Sequence, residues 1–220
     1  MESQDLRNGW GRGGPMENVC GRGSLGPSAN TLARLSENHV ITQLMSSSSR
    51  TEAALEELER LIQEKMPITE HLEFSLTSDE EGRLRASAPL QPNANHMGSA
   101  FGGSLSMLAT VTGWAMMHQV VQDAVEDMKR RVEVMIQESD IEYMRPVHEN
   151  ISVICEPPDE DALERFQQML DRWGRARLEL KCKIDAAGER AVTFMGRYVA
   201  LEEGEDEGGM FCANGQPEAA

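Results

Sequence analysis

The chain has 220 residues, with 21 Lys and Arg against 37 Asp and Glu, five His and four Cys, which is one domain's worth of chain plus appendages. Residues 1–50 hold five Arg against four acids and 201–220 hold six acids and no base, so 51–200 carries about −11 by itself. That field opposes nucleic acid and anionic membrane surfaces as partners.

In chain order, residues 1–48 are rich in Gly, Ser, Asn and Arg and show little apolar periodicity, which predicts a disordered tail. Glu2, Asp5 and Glu17 argue against a mitochondrial presequence, and no signal peptide is expected. A lead-in helix over 49–66 is predicted from a capping box at Ser49-x-x-Glu52 and from Leu55, Leu58, Leu61 and Ile62 at helical spacing, with Pro67 as its stop. Leu72-Phe74-Leu76 and Leu84-Ala86-Ala88-Leu90 alternate on either side of a polar turn and read as a hairpin.

Residues 99–121 form one predicted helix with apolar residues on every side, from Phe101 and Leu105 through Trp114 to Val121. Such a helix must be wrapped by the rest of the fold. The stretch 86–122 has no Asp, Glu, Lys or Arg, yet Pro89, Pro92 and paired Gly prevent a continuous membrane-spanning helix. Beyond it, Val132, Val134 and Ile136 alternate in one phase and Ile141 and Tyr143 in the other, so a bulge between them is expected to keep both sets inside. A strand at Ile151-Val153-Cys155, a short helix capped by Asp159, a strictly alternating strand over 175–184 and a last strand through Val192, Phe194, Tyr198 and Ala200 complete the domain over 67–201. Cys155 and Cys182 fall at core positions, as free thiols of a reducing cytoplasm. The acidic 202–220 reads as a solvated, disordered tail. One curved antiparallel sheet around one long helix, with a short helical insertion, is the expected α+β arrangement.

The chemistry concentrates in PLQPNANHMGSAFGGS, residues 89–104, directly ahead of the buried helix. Gly102 and Gly103 at the first turn let a ligand approach backbone N–H groups that the helix leaves unpaired and whose dipole favours negative charge. An acyl-transfer oxyanion suits that place; close packing of helix on sheet is the competing explanation for the glycine pair.

PLQPNANHMGSAFGGSL, then GW, IQESDIEYMRP, a DALERF insertion and GRARLELK, together closely resemble the putative thioesterase domain of the hotdog superfamily, which in some bacterial proteins stands behind an acetyltransferase domain. The resemblance covers about 66–200 and implies a hotdog fold, a homodimer with sites formed between subunits, and no cofactor beyond the CoA of the substrate. Pairing of dimers into tetramers is compatible with it. Acyl-CoA thioesterases of this superfamily carry an Asn, a Gly three residues on, and His-Gly-Gly opening the central helix. Asn95, Gly98, Phe101, Gly102 and Gly103 fall on that spacing, with Phe101 in place of His. The resemblance implies that the Gly102 N–H polarises the thioester carbonyl and that Asn95 positions the carbonyl or the attacking water.

Eight residues after Gly102, where those enzymes carry Asp or Glu, stands Thr110, a neutral hydroxyl without a base. Glu138, Ser139 and Asp140 at the phase change of the long strand, or His96 in the loop, are the candidate substitutes. Lys129-Arg130-Arg131, or Arg172, Arg175 and Arg177, are the candidate partners for CoA phosphates. No metal site is expected. The expected activity is hydrolysis of an acyl-CoA or acyl-carrier thioester, a step in fatty acid metabolism. Alternatives are a non-catalytic acyl-thioester-binding or scaffold dimer, which Thr110 favours, and a dehydratase, for which only His96 is at hand.

Overall fold

The computed structural model describes residues 51–125 and 130–203. The tail readings for 1–48 and 204–220, together with Ser49 and Lys129, lie outside the described residues. Helix α1 spans Glu52–Lys65, and its cap is Thr51, whose hydroxyl accepts from the Ala54 N–H at 3.3 Å. Glu52 in the first turn and Lys65 in the last complement the helix dipole, and Leu55, Leu58 and Ile62 are its buried side. A 3-10 turn, Pro67–Leu72, follows, because Pro67 cannot continue the hydrogen-bond ladder.

The hairpin consists of β1, Ser75–Ser78, and β2, Leu84–Ala88. Its turn is fastened by the Asp79 carboxylate, which accepts from the Arg83 N–H at 2.9 Å and from Arg83 Nε at 2.7 Å. Both strands are shorter than the alternation suggests. Leu72 belongs to the 3-10 turn, and Leu90 opens the short helix α2, Leu90–Asn93, after Pro89.

Helix α3, Gly102–Ala124, begins three residues later than the apolar pattern implies. The reason is local: the Ala100 N–H donates to the Val147 carbonyl at 2.8 Å and the Phe101 N–H to the Asn93 carbonyl at 2.7 Å, which holds these residues in the loop. Leu105, Leu108, Val111, Ala115, Met116 and Val120 are buried on different sides of α3, as a wrapped helix requires.

The remaining elements are β3 (Val132–Tyr143), β4 (Ile151–Cys155), α4 (Glu160–Trp173), β5 (Arg175–Ala186) and β6 (Glu189–Glu202). All strands pair antiparallel in the order β1-β2-β4-β5-β6-β3. Helix α4 is capped by Asp159, which accepts from the Ala162 N–H at 2.7 Å, and it ends at Gly174 in the left-handed region. The fold is α+β, a hotdog: an antiparallel sheet against a long central helix.

The phase change of β3 is a bulge between Ile136 and Glu138. It does put Ile136, Ile141 and Tyr143 on the same face as their β6 partners Tyr198, Phe194 and Val192, which are buried. The expectation that both apolar sets are inside is corrected, however. Val134 is buried, but Ile136 is 40% and Tyr143 48% exposed, because β3 is the last strand of the sheet among the described residues.

Sheet and helix meet closely at Tyr198. Its hydroxyl donates to the Thr110 carbonyl at 2.8 Å. A Cβ on Gly113 would lie 2.3 Å from that hydroxyl, and one on Gly196 would lie 2.7 Å from its ring. Both glycines are therefore spaces that the phenol fills. Burial raises the Tyr198 hydroxyl well above its ordinary value. Cys155 and Cys182 face each other across β4 and β5 as buried free thiols, and the Cys182 thiol is pushed up by the neighbouring Cys155 sulfur and by burial.

Candidate active site

The loop between α2 and α3 is built by two asparagines. Asn93 is buried, and its Nδ2 donates to the Leu72 carbonyl at 3.0 Å and to the Pro89 carbonyl at 2.9 Å, joining the 3-10 turn to the start of α2. Asn95 folds the next turn. Its Oδ1 accepts from the Met97 N–H at 2.8 Å and the Ser99 N–H at 3.3 Å, and its Nδ2 donates to Ser99 Oγ at 3.0 Å. Gly98, in the left-handed region at φ +75°, completes the turn by donating to the Asn95 carbonyl at 3.0 Å. The Asn95 side chain is thus engaged within its own loop rather than extended toward a ligand.

At the mouth of α3 the N-cap residue is Phe101, which offers no side-chain acceptor, and the first turn holds no acidic residue. Its first N–H groups therefore have no side-chain cap. The Phe101 ring lies over Gly103, so a side chain there would make the exposed ring shift. Gly102 is different: a Cβ there would meet the Tyr143 ring at an ordinary 3.7 Å.

Tyr143, at the end of β3, donates to the Gly102 carbonyl at 3.0 Å. Together with Ala100, Gly102, Leu105, Met144, Arg145 and Pro146 it lines an open cavity of about 400 Å³ at the helix start. Arg145 is ion-paired with Glu189, and the Met144 N–H donates to the Ala191 carbonyl at 2.8 Å, which anchors this wall to β6. His148 comes to the loop from behind, its Nδ1 3.3 Å from the Gly98 carbonyl oxygen. Tyr143, Arg145, His148 and Asn93 were not singled out as site residues by sequence reasoning. The Arg145-Pro146 pair, which reads from the sequence as a mainly structural end to the long strand, was the available signal.

Asn95, Gly98, Phe101, Gly102 and Gly103 are brought together, and His96 is exposed on the same loop. Thr110 is half-buried on α3, roughly 12 Å along the helix from Gly102 at 1.5 Å per residue. Ser139 shares the helix-side face of β3 with its partner Gly196. Glu138 and Asp140 do not join them. In the β3–β6 register they stand opposite Arg197 and Met195, on the other face of the sheet. Glu138 is ion-paired there with Arg197, which also binds Glu179 at 2.7 Å, and Asp140 lines a separate cleft with Lys181, Arg190 and Thr193.

Arg130 is likewise committed elsewhere. Its guanidinium binds Glu202 and Asp171 at 2.9 Å each and the Leu170 carbonyl at 3.3 Å, clamping β6 to α4, and these partners raise its already high pKa. Arg131 is exposed, and its carbonyl accepts from the Glu203 N–H at 2.9 Å. Both follow the C-terminal end of α3, whereas the cavity is at the N-terminal end, about 33 Å away along the helix.

On the half-exposed side of α3, the Trp114 indole donates to the Val134 carbonyl at 3.0 Å and stacks on His118 with ring centroids 5.1 Å apart. Burial, and secondarily the Lys65 charge, hold the His118 imidazole below its ordinary value. Among the described residues no group of three or more His, Cys, Asp or Glu is placed to hold a metal, and no helix is long and apolar enough to cross a membrane.

Residues 55–202 match the family model described as "Putative thioesterase (yiiD_Cterm)". Among solved structures, the chain is similar to a protein of unknown function from Chlorobaculum tepidum TLS. The two are 28% identical with a TM-score of 0.65, over 71% of this chain and 99% of that one. It is similar also to a structure titled putative thioesterase from Shewanella oneidensis, at 25% identity and TM-score 0.58 over 69% of this chain and 99% of that one. A Pseudomonas aeruginosa protein titled probable thioesterase shares the fold at 22% identity and TM-score 0.56, over 67% of this chain and 95% of that one. No curated protein matches the chain.

Proposed function

The chain belongs to the yiiD_Cterm putative thioesterase family, and we propose that it hydrolyses an acyl-CoA or acyl-carrier thioester at the start of α3. The observation that carries this reading is the uncapped helix N-terminus opening on the cavity lined by Gly102, Tyr143 and Arg145. The thioester carbonyl oxygen sits at the N–H groups of the first turn. A water oxygen attacks the carbonyl carbon, the oxyanion is held by those N–H groups, and collapse breaks the C–S bond. The thiolate takes a proton from the attacking water, and a carboxylic acid is released. One such donor contributes on the order of 10²–10³ in rate. Tyr143, whose hydroxyl proton is given to the Gly102 carbonyl, keeps oxygen lone pairs for the attacking water. Asn95 acts by shaping the loop that leads the backbone into α3.

The purified full-length protein, given a panel of acyl-CoAs, is expected to release free thiol. Tyr143→Phe removes that hydroxyl acceptor and should lower kcat about fivefold, the worth of one hydrogen bond of about 1 kcal/mol. Asp140→Ala, on the far face of the sheet, should stay within about twofold of the parent, as surface changes away from a site do. Absence of thiol release from every substrate would overturn the catalytic reading.

The second reading, an acyl-thioester-binding dimer without turnover, is favoured by one feature: Thr110 where related enzymes hold a carboxylate, with Glu138 and Asp140 on the opposite face. It predicts calorimetric binding of acyl-CoA with no hydrolysis. In either reading the working unit is a homodimer paired along β3, in the cytoplasm, where two free facing thiols persist.

A further inference from the structure

The described sheet ends in two unlike edges. One is β3, 12 residues long, with Met135, Ile136 and Tyr143 exposed along it. The other is β1, four residues long, and α1 packs against it, so that Phe74 and Leu76 are buried in one cluster with Leu55, Leu58 and Ile62. A strand edge presents backbone N–H and C=O groups that template pairing with another chain. In an antiparallel pair, alternate residues turn both groups toward the partner strand. Leu76, whose N–H donates to the Glu59 carboxylate of α1, therefore faces away from β2. Glu59 is also out of place within its own helix. It falls four residues after Leu55 and three before Ile62, on the side those residues bury, where the amphipathic pattern calls for an apolar side chain. A half-buried carboxylate at that position gives up apolar packing and instead holds the β1 edge.

We infer that Glu59 guards the β1 edge, so that copies of this chain associate only through β3 and association stops at two. The inference rests on the homodimer reading above. Pairing of β3 with β3 is isologous: each edge covers the other and the assembly is closed. Pairing of β3 in one copy with β1 in the next is heterologous. It leaves one edge of each kind open at the two ends, and so it continues into a chain. A strand adding to β1 has to take the Leu76 N–H as a ladder donor and to enter where α1 packs. Glu59 occupies that donor. Its charge also opposes the incoming strand, because β3 carries Glu133, Glu138, Asp140 and Glu142 and no Lys or Arg.

The test reads weight-average mass by light scattering against concentration, with Tm and circular dichroism as controls, on the full-length chain. The parent is expected to reach the mass of a dimer and hold it. Glu59→Leu completes the apolar side of α1 while leaving the edge unguarded. It should keep or raise Tm, yet its mass should climb roughly twofold or more past the dimer over a ~100-fold range of concentration. A purely structural role for Glu59 does not predict that split. Glu59→Gln retains an acceptor oxygen and should stay close to the parent. Adding Ser139→Pro, which removes a backbone donor from β3, to Glu59→Leu should abolish the growth, because every junction of the chain uses one β3 edge. Should Glu59→Leu fail to fold, Glu59→Ala removes the same acceptor without added bulk and is read in the same way.

A folded Glu59→Leu protein that stays dimeric overturns the guard and leaves the homodimer reading standing. Growth that Ser139→Pro fails to stop also overturns the guard, since it does not pass through β3. A monomeric parent whose Glu59→Leu variant forms chains sensitive to Ser139→Pro supports the guard and overturns the homodimer. Monomers in both overturn both.

Discussion

Three residues carry more of this molecule than their chemistry suggests. Asn93 is buried with two carbonyl acceptors, so Asn93→Ala strands both the Leu72 and Pro89 oxygens. It should cost about 2 kcal/mol in urea denaturation. Asn95→Ala breaks a half-exposed turn and should cost less than half as much in stability. Its larger effect should be on turnover, because the loop leads directly into the helix start. Equal stability losses in the two variants would contradict this division. The motif NANH offers both asparagines, and the resemblance to the thioesterase pattern favours Asn95. What distinguishes Asn93 is a partner 21 residues earlier in the chain, which no local pattern reveals. Tyr143 was missed as a site residue for the same reason: its contact with Gly102 spans 41 residues and exists only after the sheet has curled.

At the scale of elements, periodicity was a good guide wherever both faces of an element have settled surroundings. Strand β5 alternates buried and exposed over nearly its whole length, and α3 is apolar all round because it is wrapped. The same reasoning foresaw the bulge in β3 but not the exposure that follows it. Alternation tells which way a side chain points, not whether another strand lies beyond. Residues 132–143 form a free edge with Met135, Ile136 and Tyr143 each well over one-third exposed. Natural sheets rarely leave such an edge uncovered. A second copy pairing there is expected to be seen as a dimer by light scattering. Ser139→Pro, which removes a backbone donor from the edge, should shift the population to monomer.

Helix α3 also brings a pH dependence. Because His118 in the folded protein is held below 6.5, the unfolded chain takes up the proton first on acidification. Stability is then flat above about pH 6.5 and falls below it, down through the folded value. His118→Gln should flatten that part of a Tm-versus-pH series. An unchanged acid slope in the variant would assign it to other groups.

For the whole molecule, the charge sets a condition on its ligand. The formal charge is −16, and many of the cations are already bound to acids: Arg197 to Glu138 and Glu179, Arg190 to Asp185, Lys183 to Glu156, and Arg130 to Glu202 and Asp171. A CoA thioester approaches this surface against a net repulsion. Raising ionic strength from low to physiological shortens the Debye length to about 8 Å, so KM for acyl-CoA should fall with salt. A protein with a dominant phosphate-binding patch would behave in the opposite way, and a rising KM would reveal one.

The packing of Tyr198 between Gly113 and Gly196 has a consequence for how this fold can change over time. Gly113→Ala in the present protein drives a methyl into the phenol and should cost about 1–3 kcal/mol. After Tyr198 has been replaced by Leu, the same change fills a void and should cost little or become favourable, a coupling that a double-mutant cycle can measure. The three positions are therefore not independent letters. Either order of replacement passes through a destabilised intermediate, an overpacked one if alanine comes first and one with a cavity if the tyrosine is lost first, so this helix–sheet contact resists drift by single steps.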